Sequence, residues 1–205
     1  MSAVVSLERL IDARRVWRGQ GAVSSSVSSQ PTGHAFLDGV LPGGGWPVAA
    51  LSEILFDSIG TGELRLLWPT IARLTQAGER VVMVSPPHRP YPHAWLDAGI
   101  DLQHLSIVRA DAREALWAAE QCLRSGSCGA VIGWLPQADD RALRRLQVAA
   151  ATGQTLAFAY RPLVQAANPS PAALRLAMEN RPARIRVLKC RGGLAPAQPI
   201  AAPWH

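Results

Sequence analysis

Residues 52–84, SEILFDSIGTGELRLLWPTIARLTQAGERVVMV, decide the fold. The spacing predicts an apolar strand (Glu53 to Phe56), a glycine-containing turn (57–62), a helix-period segment (Glu63 to Ala77) and a second apolar strand (Arg80 to Val84), the order of a phosphate-binding βαβ unit. The phosphate chemistry itself is absent. A working loop of the form G-x-x-x-x-G-K-[ST] needs a lysine to neutralise the phosphates and a hydroxyl to hold Mg²⁺. Here the turn, with Gly60 and Gly62, runs into Glu63 and Leu64, so a carboxylate stands where the ammonium belongs. Lys189, distant in sequence, is the chain's single lysine. These residues imply a nucleotide-binding architecture without nucleotide, cofactor or metal.

Outward from this unit the chain keeps alternating. The patterning predicts a short helix at 93–98, a strand at 105–109, a helix from the Asp111 cap to Arg124, a buried strand at 128–135, a helix at 139–152 and a strand at 154–160. That alternation implies one α/β domain over 32–193, a mostly parallel sheet with helices on both faces. Residues 172–179 and 184–191 flank the turn at 180–183, and the alternation of Leu174, Leu176 and Met178 predicts an antiparallel hairpin at the sheet's end. A Pro/Ala-rich tail follows at 194–205, with Trp204 as its candidate anchor. On the N-terminal side, residues 1–18 read as an amphipathic helix with Leu7, Leu10, Ile11 and Trp17 on one stripe, a candidate partner surface. Residues 19–31, rich in Ser and Gly, read as a flexible linker.

At 205 residues and 48% hydrophobic composition the chain can bury a core, and neither a membrane span nor a signal peptide is legible, so a cytoplasmic protein is expected. The formal charge of +6 admits nucleic acid or an acidic protein as partner, while arginine also accumulates under GC-rich coding. Arg141, Arg144 and Arg145 line one helix as a solvated face or a candidate nucleic-acid contact. Cys122, Cys128 and Cys190 match no metal spacing and read as buried free thiols. His88, His93 and His104 fit no ligand pattern, and Ser58 and Ser85 have no legible acid–base partners. Trp68 and Trp117 sit at helical spacing among apolar neighbours and are expected in the core.

The lead-in LDGVLPGGGWP, the segment AWLDAGIDLQHLSIVRADAREALWAAEQCLRSG and the closing LRLAMEN and RIRVLKCRGG strands resemble the RecA-like core, and more closely its degenerate relatives, the SulA and ImuA proteins of the bacterial SOS response. RVWRG near the N-terminus and VLKCRGG near the end resemble ImuA most. The resemblance places Glu63 at the catalytic lysine, Pro87 near the water-activating carboxylate, Trp134 at the Mg²⁺-linked aspartate and Arg161 at the γ-phosphate-sensing glutamine, so four requirements of phosphoryl transfer fail together. It implies a non-catalytic adaptor in an SOS-induced translesion synthesis complex with an ImuB-like Y-family-related protein and an error-prone C-family polymerase, with RecA as a further candidate and only weak, non-specific DNA contact. Lys189 and Arg191 are then the basic partner surface, and the protein is nucleoid-associated when DNA is damaged. The alternative is a SulA-type division inhibitor that binds FtsZ, and a third is an enzyme completed in trans by a partner.

Overall fold

The computed structural model describes residues 28–58, 60, 62–89, 91–180 and 183–202. The expected helix at 1–18, with Leu7, Leu10, Ile11 and Trp17, lies outside them, as do most of the linker and Trp204. The elements run β1 (Ser29–Gln30), α1 (Ala35–Asp38), β2 (Trp46–Pro47), β3 (Leu51–Phe56), a 3-10 turn (Glu63–Leu66), α2 (Trp68–Gln76), β4 (Val81–Val84) and α3 (Pro92–Asp97). A 3-10 turn (Leu102–His104) leads into β5 (Leu105–Val108), α4 (Ala112–Arg124), β6 (Ala130–Trp134), α5 (Asp140–Gly153) and β7 (Leu156–Pro162). A last 3-10 segment (Leu163–Ala167) precedes β8 (Leu174–Asn180), β9 (Ala183–Cys190) and β10 (Ile200–Ala201).

Eight strands form one sheet in the order β10-β9-β8-β3-β7-β6-β4-β5. The six from β8 to β5 are parallel, and β9 and β10 extend the sheet antiparallel. Strand alternation divides the core in two. Ile54, Phe56, Met83, Trp134, Phe158 and Tyr160 face α2 and α3, whereas Leu51, Val82, Val84, Val131 and Ala157 face α4 and α5. The parallel strands are apolar on both faces because helices cover both.

Local chemistry sets the helix boundaries. Asp111 accepts from the N–H groups of Arg113 (3.0 Å) and Glu114 (2.9 Å), and Asp139 accepts from that of Ala142 (2.7 Å). These caps satisfy first-turn donors, each worth roughly 1 kcal/mol. The segment expected as one helix from Glu63 is broken: a 3-10 turn comes first, and α2 begins at Trp68. Pro69 has no N–H to give and is tolerated only in a helix's first turn, so the α-helix starts beside it. Ser29–Gln30, assigned by composition to the flexible linker, pairs antiparallel with Trp46–Pro47. Gly45 permits this, since a Cβ there would run into the Gln30 carbonyl. At the tail, Ile200–Ala201 pairs with β9.

Trp117 corrects an expectation of burial, being 62% exposed. The buried face of α4 is Ala115, Ala119 and Leu123, four residues apart, and position 117 falls off that stripe. Trp68 is half-buried and packs against the α2-side core. No helix among the described residues is long and apolar enough to cross a membrane.

Candidate functional site

The loop after β3 is held by Gly60 (φ 82°) and Gly62 (φ 89°), conformations that side chains other than glycine rarely adopt. They turn the chain so that Glu63 folds back, its carboxylate accepting from the Gly60 N–H at 3.1 Å and 3.4 Å. Backbone donors in such a loop ordinarily face an anionic ligand. Here the chain's own buried carboxylate takes one of them. The Glu63 carbonyl accepts from the Tyr160 hydroxyl at 2.9 Å. Tyr160 stacks on Trp134 (centroids 5.0 Å, planes 13° apart) and meets the edge of Phe56 at 5.8 Å. Burial, then the nearby Glu63 charge, pushes the Tyr160 hydroxyl well above its ordinary pKa, so it stays a neutral donor.

Of the four positions matched to phosphoryl-transfer residues, three converge. Glu63 lies against Tyr160, and Pro87 and Trp134 line a cavity of about 380 Å³ at the carboxyl ends of the parallel strands. Arg161 points to the opposite face. There Glu53, fully buried on β3, pairs with Arg161 of β7 through one oxygen and with Arg175 of β8 through the other, the latter at 2.6 Å. Arg161 also donates to the Ala138 carbonyl and, at 3.0 Å, to Gln165 Oε1, while Arg175 reaches the Gln165 carbonyl at 3.0 Å. This Arg–Glu–Arg triad ties the loops after β6 and β7 to the middle of the sheet. The residues are 108 and 122 positions apart, so no local pattern announces the pairing, although a lone Glu inside an apolar strand was a signal that it needed a partner.

Beside the loop after β3 lies a groove of about 270 Å³ lined by Glu63, Arg65, Trp68, Arg89, Tyr91 and Trp95. The Arg65 guanidinium sits 5.8 Å over the Trp68 ring. Tyr91 in this lining is 68% exposed, and Leu96 of α3 is 53% exposed. His88 and His93 are exposed on the same side. His104 is elsewhere, bonded to Asp101 at 3.0 Å, and Ser85 donates to the Ala110 carbonyl at 2.9 Å.

The arginine row of α5 is largely engaged within the chain. Arg144 pairs with Asp140 at 2.8 Å and Arg145 with Glu120, leaving Arg141 without an ion pair among the described residues. Lys189 donates to the Ser170 carbonyl at 2.8 Å, and its pKa is lowered by burial and then by the charges of Arg175 and Arg191. Arg191 is exposed at the end of β9. Cys128 is buried, Cys122 and Cys190 are half-buried, and all three are free thiols. Burial pushes the Cys122 and Cys190 thiols up.

Fold and site define an α/β domain with a mostly parallel sheet, in which a donor of the glycine loop after β3 is taken by an internal carboxylate. Residues 49–157, more than half of the chain, match the family model for the cell division inhibitor SulA, and the chain belongs to that family. It is 33% identical over 99 residues to the "Cell division inhibitor SulA" of Edwardsiella piscicida, covering 47% of this chain and 58% of that protein. With the protein of the same description from Photorhabdus laumondii subsp. laumondii it is 32% identical over 100 residues, 48% and 56% of the two chains. The chain thus spans little more than half the length of these curated relatives. The crystal structure of SulA from Pseudomonas aeruginosa is 29% identical, with a TM-score of 0.48, covering 56% of this chain and 98% of that one.

These matches overturn the assignment to ImuA, and with it the translesion synthesis adaptor, its ImuB-like, C-family polymerase, RecA and DNA partners, and its mutagenesis role. The physical reason lies in where that assignment rested. RVWRG lies outside the described residues, and VLKCRGG is the end of β9, between β8 and β10, with the turn after it, its lysine bonded to a loop carbonyl of its own chain. The matched segment, 49–157, holds most of the sheet, and there the likeness is to SulA.

Proposed function

We propose that this protein is a cell division inhibitor that acts by binding FtsZ, without catalysis or cofactor. The observation that carries this reading is the SulA family match over residues 49–157, within which the exposed groove around Tyr91 and α3 falls. An inhibitor of polymer growth needs one rigid surface rather than a turnover site. The groove supplies apolar area from Tyr91, with Arg65 and Arg89 in its lining as donors for carboxylates, and α3 adds the exposed Leu96. Aromatic and arginine residues of this kind are the usual anchors of protein interfaces. On the same reading the sheet is a RecA-like core with its C-terminal antiparallel extension, the phosphate loop is vestigial, and the site of action is cytoplasmic.

The test is sedimentation of FtsZ polymers with GTP, in the presence of purified protein, alongside cell length on expression. The expected result is loss of sedimentable FtsZ near equimolar ratio and filamentous cells. Replacement of Tyr91 by Ala with Leu96 by Asp should abolish both while leaving the melting curve intact. Undisturbed FtsZ assembly together with normal cell length would refute the proposal.

A further inference from the structure

The cavity at the carboxyl ends of β3, β4, β6 and β7 and the groove around Tyr91 are neighbours, since Pro87 lines both. The loop after β4 is the ridge between them, with Ser85 on the cavity side and Pro86, His88 and Arg89 on the groove side. The ridge starts with a turn at Ser85 (φ 50°) that residues other than glycine seldom make. Two bonds hold it there, from the Ser85 N–H to the Val108 carbonyl at 2.8 Å and from its hydroxyl to the Ala110 carbonyl at 2.9 Å. Pro86 and Pro87 then fix their own φ, so the ridge is stiff and both depressions stand open in the chain alone.

The two depressions differ in polarity. Arg65 and Arg89 line the groove, whose one acidic residue, Glu63, is buried and turned onto the Gly60 N–H. In the cavity the one charged lining residue is Asp57. The cavity's floor is the buried rings of Phe56, Trp134 and Tyr160, in edge and stacked contact with one another. Ala112 and Ala115 of α4 form a wall, and their small side chains leave the space unfilled. A carboxylate entering the cavity would meet Asp57 and leave water for an aromatic floor, whereas an apolar side chain would bury its surface there. We propose that the partner straddles the ridge, setting carboxylates against Arg65 and Arg89 and inserting one bulky, uncharged apolar side chain into the cavity. This rests on the FtsZ reading and deepens it: the cavity is the anchor pocket of that interface, kept open by Ala112 and Ala115. Its volume of about 380 Å³ is ample for one aromatic side chain, and anchors seated in such pockets carry a disproportionate share of binding energy.

The test measures the affinity of the full chain for purified FtsZ by titration calorimetry, with melting curves as the check on folding. Ala115→Leu fills the cavity from its buried wall and leaves the outer surface as it is, so a partner that merely touched that surface would still bind. Ala112→Trp closes the mouth from an exposed position. Each should weaken FtsZ binding at least about tenfold, the effect of losing one anchor. Asp57→Asn removes the cavity's charge without filling it and should bind as tightly as the native chain or tighter. If Ala115→Leu does not fold, Ala112→Trp decides alone. A native chain that binds FtsZ, with either folded filling variant within about threefold of it or with binding lost in Asp57→Asn, would overturn the anchor and leave the groove reading standing. A native chain that does not bind FtsZ would overturn both.

Discussion

Replacing Glu53 by Leu should destabilise the protein more than removing either of its arginine partners. In the native fold one buried carboxylate is shared by two buried guanidinium groups, leaving a net charge of one within the cluster. Glu53→Leu strands both arginines, each 8% exposed or less, and raises the buried charge to two. Arg161→Met leaves Glu53 paired with Arg175, a neutral couple, and sacrifices mainly the bonds from Arg161 to Ala138 and Gln165. Breaking a buried pair with an uncompensated charge costs about 3–5 kcal/mol, so Glu53→Leu is expected at the top of that range. Arg161→Met is expected at roughly 2 kcal/mol, the scale of hydrogen bonds from a charged donor. With a urea slope of about 2–3 kcal/mol per molar, the midpoint should fall by about 2 M for the first and by under about 1 M for the second. Equilibrium urea unfolding followed by circular dichroism measures both. Equal midpoints, the reverse order, or a Glu53→Leu cost below about 1 kcal/mol would refute the shared-carboxylate account.

Mg-ATP at millimolar concentration should leave the melting midpoint unchanged, because ligand a hundredfold above its dissociation constant would add about 2.7 kcal/mol; a clear rise, repeated by calorimetry, contradicts the internal-carboxylate reading of Glu63. Gly62→Ala should destabilise by roughly 1 kcal/mol or more, since φ 89° suits glycine alone, and an unchanged urea midpoint would show that the loop relaxes freely. His34 is held below the ordinary histidine value of 6.5, chiefly by burial, so its contribution to stability is full above pH 6.5 and is lost as pH falls through the interval down to the folded-state value. Urea midpoints compared at pH about 7.5 and about 5.5 should decline towards acid, and His34→Gln should flatten that decline; an equal slope in the variant assigns the effect to other groups.

The elements themselves were legible in the sequence because period-2 and period-3.6 spacings, Asp111 before its helix and glycines in the loop are local signals. Glu63 directly after the glycine loop was equally legible, since it is a question of residue type at one position. The family was not, because the terminal segments that resemble ImuA, one of them outside the described residues, lie apart from the segment 49–157 that carries the SulA match. Exposure of Trp117 depended on which stripe of α4 met the sheet, a choice made by the packing of Ala115, Ala119 and Leu123. The placement of β3 between β7 and β8 was likewise a tertiary outcome. It brings Glu53 against Arg161 and Arg175, and brings Phe56, Trp134 and Tyr160 to one end of the sheet. Spacing within a segment fixes what each segment is, whereas charges and aromatic rings more than a hundred residues apart meet only when strand order puts them side by side.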